Sequence, residues 1–279
     1  MSTIPVFPLN SGTTIPAFGL GTYKMDDTTA EFAVNEALQM GYRHIDTAQM
    51  YHNEEAVGRG IKKSGIARED IFLTTKLDNM NHAPADVRRT FEESLRKLQT
   101  DYVDLFLIHW PMLTGDYIDT WKTFEELQAS GRAKAIGVSN FEIHHLQALR
   151  NNTETVPAVN QIELHPYFQN TEVAQYCADA GIRVQAWAPI AKGKVVDDLL
   201  LQNLAARKGC TPVQLVLAWH LANYRIIFPK ASSVAHLEEN LRALDVKLLQ
   251  EDVTEINDLD QFEDGRTGMH PDTMKRRGE

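Results

Sequence analysis

Short apolar runs, rich in β-branched and aromatic residues, alternate along the chain with longer stretches whose apolar positions return every three or four residues. The first pattern predicts buried strands and the second amphipathic helices. YRHIDT ends at Asp46, IFLTTK at Lys76, VDLFLIH at His109, and a fourth run near Ser139, in steps of 30, 33 and 30 residues. A βαβ unit takes roughly 30 residues per step. Further runs end at Gln161 (PAVNQ), Trp187 (IRVQAW) and Lys230 (RIIFPK), and the first ends near Thr22 (FGLGT). Helical stretches such as FEESLRKLQ and LLLQNLAARKG lie between them. Eight strands alternating with helices across residues 1–279 predict a single (β/α)8 TIM barrel with its site at the C-terminal strand ends. An open doubly wound sheet is the competing architecture, but Gly19 and Gly21 in GLGT lead into no GxGxxG turn. Upstream, LNSGTTIPAF reads as a hairpin turning at Asn10-Ser11-Gly12 and covering the barrel floor.

On this pattern the strand ends become chemically pointed. Asp46, Lys76 and His109 close successive strands, and Tyr51 follows Asp46 by five residues. Together they place a phenol beside a cation that is itself held by a carboxylate. A carbonyl that receives hydride must gain a proton on oxygen as charge develops there, and this set suits that demand. A free phenol has a pKa of about 10. A neighbouring Lys76 ammonium is expected to make Tyr51 more acidic.

Composition narrows the partners. The net charge of −10 argues against nucleic acid and anionic membranes, and no run reaches the length of a membrane span. Cys177 and Cys210 form no CxxC pair and read as reduced thiols, and MSTIPVFPLNSG lacks the apolar stretch of a signal peptide. A cytoplasmic protein is expected. A metal-dependent hydrolase would need convergent ligands. His44 lies two residues before Asp46 and points the same way along a strand, but one such pair is thin support; His144-His145 begin a helix away from the expected strand ends, and no metal is expected.

GYRHIDTAQMYHNEEAVG, VDLFLIHWP, IGVSNF and NQIELHPY together resemble the aldo-keto reductase signature, in the family's order and spacing. The resemblance covers nearly the whole chain. Its short loops and compact C-terminus are most similar to the prokaryotic 2,5-diketo-D-gluconate reductases. It implies a monomeric enzyme reducing aldehydes and ketones with NADPH, in which Tyr51 is the proton donor and His109 orients the substrate oxygen. Family members that serve as cofactor-binding regulatory barrels with little turnover are the alternative.

The same resemblance implies a cofactor cradle. Ser139, Asn140 and Gln161 would bond the nicotinamide carboxamide, Trp187 would stack on its ring, and Thr22 joins the cofactor contacts. Pro189, Ile190 and Lys192 would line the pyrophosphate. At the adenine end the chain departs from the family. PKASSVAHLEEN keeps Lys230, Glu239 and Asn240, with Ser232 beside them, but places His236 where an arginine is usual and Ala231 where a serine is usual. Histidine lacks arginine's permanent charge and rigid fork. Weakened selectivity for the 2′-phosphate, with NADH as an alternative cofactor, is therefore expected.

Tyr23, Leu77 and Trp110 are expected to rim the substrate pocket. Asp78-Asn79 puts polar groups where relatives often carry an aromatic. Small polar carbonyls are the expected substrates: α-dicarbonyls, keto sugar acids or keto esters. Lys275, Arg276 and Arg277 offer a basic patch for anionic substrates, or simply a solvated end.

Overall fold

A computed structural model describes residues 3–113, 115 and 117–274. The basic patch expected at Lys275, Arg276 and Arg277 lies outside them. Strands β1 (Val6–Pro8) and β2 (Thr14–Pro16) form the predicted antiparallel hairpin. Gly12 has φ of 83° at its turn, a conformation that costs glycine little. Then follow β3 (Leu20–Gly21), α1 (Asp27–Gln39), β4 (His44–Asp46), α2 (Glu54–Ser64), β5 (Phe72–Leu77), α3 (Pro84–Leu98) and β6 (Val103–Ile108). The alternation continues through α4 (Tyr117–Ala129), β7 (Ala133–Ser139), α5 (Ile143–Asn152), β8 (Val159–Glu163), α6 (Thr171–Asp179) and β9 (Arg183–Trp187). Helices α7 (Leu199–Lys208) and α8 (Pro212–Ala222) precede β10 (Ile226–Ile227), and α9 (Val234–Leu241) and α10 (Gln250–Asn257) complete the order.

Strands β3 to β10 form one parallel sheet in sequential order. Its two edges meet through a parallel bridge between Phe18 and Ile227. There the Gly19 amide donates to the Ile227 carbonyl at 2.8 Å, and the Ile227 amide to that of Ala17 at 2.9 Å. The barrel is thereby closed. The last strand is shorter than RIIFPK suggests because Pro229 has no amide proton to extend the ladder. By contrast β8 runs two residues past Gln161, and that extension carries Glu163.

Alternation along each strand separates two cores. Inward residues Phe72, Leu105, Leu107, Val159 and Ile226 pack under Leu9 and Ile15, so the hairpin seals the floor as expected. Outward residues pack against the helices. There Phe106 lies between Phe91 of α3 at 4.8 Å and Phe124 of α4 at 4.3 Å, the latter pair stacked. Cys177 and Cys210 are both free thiols. Among the described residues no helix is long and apolar enough to cross a membrane.

Phe106 faces the helices, on the opposite side of its strand from the inward residues Leu105 and Leu107. Phe106→Ala should therefore act on stability alone, costing about 3–5 kcal/mol. Urea unfolding monitored by circular dichroism checks this, and a midpoint near wild type would mean that the stacked rings do not anchor the helices.

Candidate active site

Parallel register sets the inward side chains of β4 to β9 in a ring at the C-terminal barrel mouth. Asp46 and Lys76 stand on adjacent strands, both buried, and Lys76 Nζ donates to Asp46 Oδ1 at 2.5 Å. The same ammonium donates to the Thr47 carbonyl at 2.9 Å and to the Tyr51 hydroxyl oxygen at 3.1 Å. A lysine has three protons to give, so these contacts use them all. Tyr51 then accepts from Lys76, and its own proton is free to point elsewhere.

Tyr51 sits on a single turn of 3-10 helix, Gln49–Tyr51, between β4 and α2. Asn53 fastens this turn. Its Nδ2 donates to the carbonyls of Thr22 and Met25 at 2.9 and 3.1 Å, and its Oδ1 accepts from Thr47 Oγ1 at 3.1 Å. Gln49 holds the other side, donating to Ser94 Oγ at 3.1 Å and to the Thr90 carbonyl at 3.2 Å. Neither residue stood out in the sequence, because a lone amide in a loop carries no periodic signal.

The electrostatics correct one expectation. Burial pushes the Tyr51 phenol well above its ordinary pKa, and the Asp46 charge adds to that. The neighbouring Lys76 ammonium does not outweigh these two effects. Burial, reinforced by the Lys76 charge, holds His109 well below the usual histidine range, so its ring is neutral. The two rings meet edge to face, with centroids 5.7 Å apart. Tyr51 and His109 thus present a protonated phenol and a neutral imidazole side by side.

Across the barrel, Gln161 Nε2 donates to Asp46 Oδ2 at 2.8 Å and to Gln185 Oε1 at 2.9 Å. This link was not anticipated, and Gln185 was not singled out. Ser139 Oγ donates to the Gln161 carbonyl at 2.8 Å. Asn140 has φ of 62°, and its Nδ2 donates to the His109 carbonyl at 2.9 Å and to Ser139 Oγ at 3.1 Å. Trp187 Nε1 donates to Asn140 Oδ1 at 2.7 Å. The four residues of the expected nicotinamide cradle therefore form one bonded network that reaches the Asp46–Lys76 pair. Thr22 joins it by donating to the Asp46 carbonyl at 3.1 Å.

The remaining expectations divide. Trp110, next to His109 in the chain, is half-buried, and Tyr23 is exposed with its ring 5.0 Å from that of Tyr51, so Tyr23 borders the mouth. Leu77 does not. It points outward and is fully buried between sheet and helices, as strand alternation after the inward Lys76 requires. Asp78 Oδ1 accepts from the Met80 amide at 2.9 Å and so caps its own loop. His44 is buried with Nδ1 3.2 Å from the Pro16 carbonyl, and burial drives its pKa down to about 3. It packs the floor.

At the adenine end, Ser232 and His236 are exposed near the start of α9, where Ser233 Oγ accepts from the His236 amide at 3.3 Å. Lys230 Nζ donates to the Lys24 carbonyl at 3.0 Å, and Glu239 Oε1 accepts from Thr211 at 3.1 Å. Asn240 is buried on the same helix. Beyond β9, the Pro189 carbonyl lies 2.9 Å from His220 Nε2, and Ile190 is half-buried. Lys192 Nζ donates to the Thr267 carbonyl at 2.7 Å, which ties this loop to the C-terminal segment.

That segment, running from Phe262 to Met274, is a strap across the site. Glu163 Oε1 accepts from the Thr267 amide at 2.7 Å and its hydroxyl at 2.5 Å, and Glu163 Oε2 accepts from the Gly268 amide at 2.9 Å. His165 Nε2 lies 3.1 Å from the same carboxylate. Gly268 leaves no room for a side chain, since a Cβ there would come within 2.4 Å of the Trp187 ring. Burial alone would raise the Glu163 pKa, but the bonds from His165, Thr267 and Gly268 outweigh it and hold the carboxyl at about 2. A depressed carboxyl stabilises the fold above its unfolded value, about 4.3. The contribution is lost as pH falls towards 2. Glu163→Gln should therefore loosen the strap at neutral pH. Amide exchange at Thr267 and Gly268 is expected to rise about tenfold or more, and unchanged exchange would show that Glu163 is not the anchor.

Comparison with known proteins agrees with the geometry. The Aldo/keto reductase family matches residues 15–261. A glyoxal reductase of Bacillus subtilis (strain 168) is 41% identical over 267 residues, covering 95% of this chain and 96% of its own. Methylglyoxal reductase DkgA of Escherichia coli (strain K12) is 40% identical over 275 residues, covering 98% of each chain. A crystal structure of a Gox0644 mutant in complex with NADPH superimposes with a TM-score of 0.94 at 40% identity, covering 99% of this chain and 100% of that one. The chain belongs to the aldo-keto reductase family.

Proposed function

We propose that the enzyme reduces small α-dicarbonyls such as methylglyoxal and glyoxal, with Tyr51 protonating the carbonyl oxygen. The observation that carries this reading is the full commitment of the Lys76 ammonium to Asp46, Thr47 and Tyr51. A phenol that accepts from a saturated cation directs its proton away from that cation, into the barrel mouth. His109, neutral and beside it, supplies a second polar contact for the same oxygen without competing as an acid. As the proton leaves, the phenolate forms 3.1 Å from an ammonium, which stabilises the charge where it appears.

NADPH supplies the hydride when bound, and the residues present fit it. Both amide protons of Gln161 and of Asn140 are engaged within the protein, so these side chains offer a carboxamide their oxygens. The indole of Trp187 is fixed at its nitrogen and backed by Gly268, which leaves a flat wall for a ring. Asp78 is turned into its own loop, so the rim bears Tyr23 and Trp110 rather than a binding charge. A small dicarbonyl suits that rim better than a keto sugar acid or a keto ester, and glyoxal and methylglyoxal reductases are among the chain's relatives. The two free thiols accord with a reducing, cytoplasmic compartment.

Tyr51→Phe should lower kcat for methylglyoxal by about 10²–10⁴-fold, the usual worth of a positioned acid. The Kd for NADPH, measured by fluorescence quenching, should stay within about threefold of wild type, about half of the 1.4 kcal/mol that a tenfold change represents. Turnover near wild type in this variant would remove Tyr51 from the mechanism.

Cofactor selectivity follows from the α9 loop. An exposed His236 in place of a guanidinium leaves Lys230 and Ser232 as the main polar groups for a 2′-phosphate. Competitive titration should give a preference for NADPH over NADH smaller than about a thousandfold, or 4 kcal/mol. A larger ratio would mean that the loop recognises the phosphate through groups other than His236.

A further inference from the structure

The C-terminal strap returns to the barrel at a second point, away from Glu163. The 3-10 turn Pro271–Thr273 lies against the start of α5, where Asp272 Oδ1 is 3.2 Å from His144 Nε2 and 3.5 Å from His145 Nε2. The three donor atoms all lie within 4.8 Å of one another. In a tetrahedral site with bonds of about 2.0–2.1 Å, two donors stand about 3.3 Å apart. Both His–Asp distances sit at that value.

The ligand set is prepared on one side and accessible on the other. His145 is buried, with Tyr117 and Phe141 against its ring at centroid distances of 5.6 Å each, so its orientation is fixed by packing. His144 stacks beside it at 3.9 Å and is exposed, as is Asp272, so an ion could reach the cluster from solvent. His270 is the nearest further imidazole, with Nδ1 4.0 Å from Asp272 Oδ2.

We propose that His144, His145 and Asp272 form a transition-metal site, suited to Zn2+, that clasps the C-terminal strap to α5. Two imidazoles and a carboxylate are ligands of that borderline class. The cost is local. His145 Nδ1 accepts from the Glu142 amide at 3.1 Å, which places the neutral ring's proton on Nε2. Binding at Nε2 moves that proton to Nδ1, and the Glu142 amide gives up this acceptor. In exchange, the ion joins the strap to the start of α5 beside the Arg266–Glu142 ion pair. Because the same strap carries Thr267 and Gly268 onto Glu163 and Trp187, the clasp would slow its movement over the cofactor wall. The site lies outside the reaction centre, and its argument does not depend on the substrate.

Equilibrium dialysis of the purified protein against Zn2+ in a non-chelating buffer tests it, alongside amide exchange of residues 266–274. Wild type should take up one Zn2+ per chain, and exchange in the strap should slow when it does. His144→Ala and Asp272→Asn, both at exposed positions, should each weaken uptake about tenfold or more and abolish the slowing. Absence of stoichiometric uptake, or uptake that both variants retain, would overturn the site. Uptake without slower exchange would overturn the clasp.

Discussion

Lys76 and Asp46 meet at 2.5 Å with almost no solvent on either side chain, and the rest of the site is arranged around that pair. Burying two charges is costly unless the remaining hydrogen-bonding capacity is filled. Here it is filled. Thr47 and Tyr51 take the other two ammonium protons, and Gln161 donates to the second carboxylate oxygen. A consequence is that the phenol cannot drift: its oxygen is held by Lys76, and its turn is fastened by Asn53 and Gln49. Removing one charge would leave the other buried and unpaired, so the pair is retained as a unit.

The cross-barrel bond from Gln161 gives this arrangement a wider reach. The residue that caps the acid pair also belongs to the network of Ser139, Asn140 and Trp187. Whatever shifts that network therefore shifts the partner of Asp46. The strap packs on it from outside, through Glu163 and the absence of a side chain at Gly268. Ion pair, network and strap form one continuous set of contacts from the barrel axis to the surface.

How much of this is legible in sequence depends on range. The barrel is legible because strand and helix periods recur in steps near 30 residues, and Asp46, Lys76 and His109 fall at strand ends where side chains must converge. The hairpin floor is legible in Asn10-Ser11-Gly12. Leu77 is misread for a local reason: taken as a neighbour of Lys76 it seems to share the mouth, whereas alternation turns it outward. The acidity of Tyr51 is misread because burial and the Asp46 charge, which only the fold reveals, outweigh the cation beside it. Gln185 and Asp272 carry no local pattern, and Glu163 and Asn53 fall inside the quoted motifs, which do not tell their roles. Their importance comes from partners far along the chain, such as Thr267 for Glu163 and His144 for Asp272, and only folding brings those together.

If Lys76 acts through Tyr51 because Asp46 holds it there, then Asp46 and Tyr51 cannot contribute independently. A double-mutant cycle on kcat/KM for methylglyoxal with NADPH, using Asp46→Asn, Tyr51→Phe and the combined variant, measures their coupling. We expect Asp46→Asn to cost wild type heavily and to cost almost nothing once Tyr51 is phenylalanine. Losses that simply add would mean that Asp46 supports the fold or the cofactor alone, and that Tyr51 takes its orientation from elsewhere.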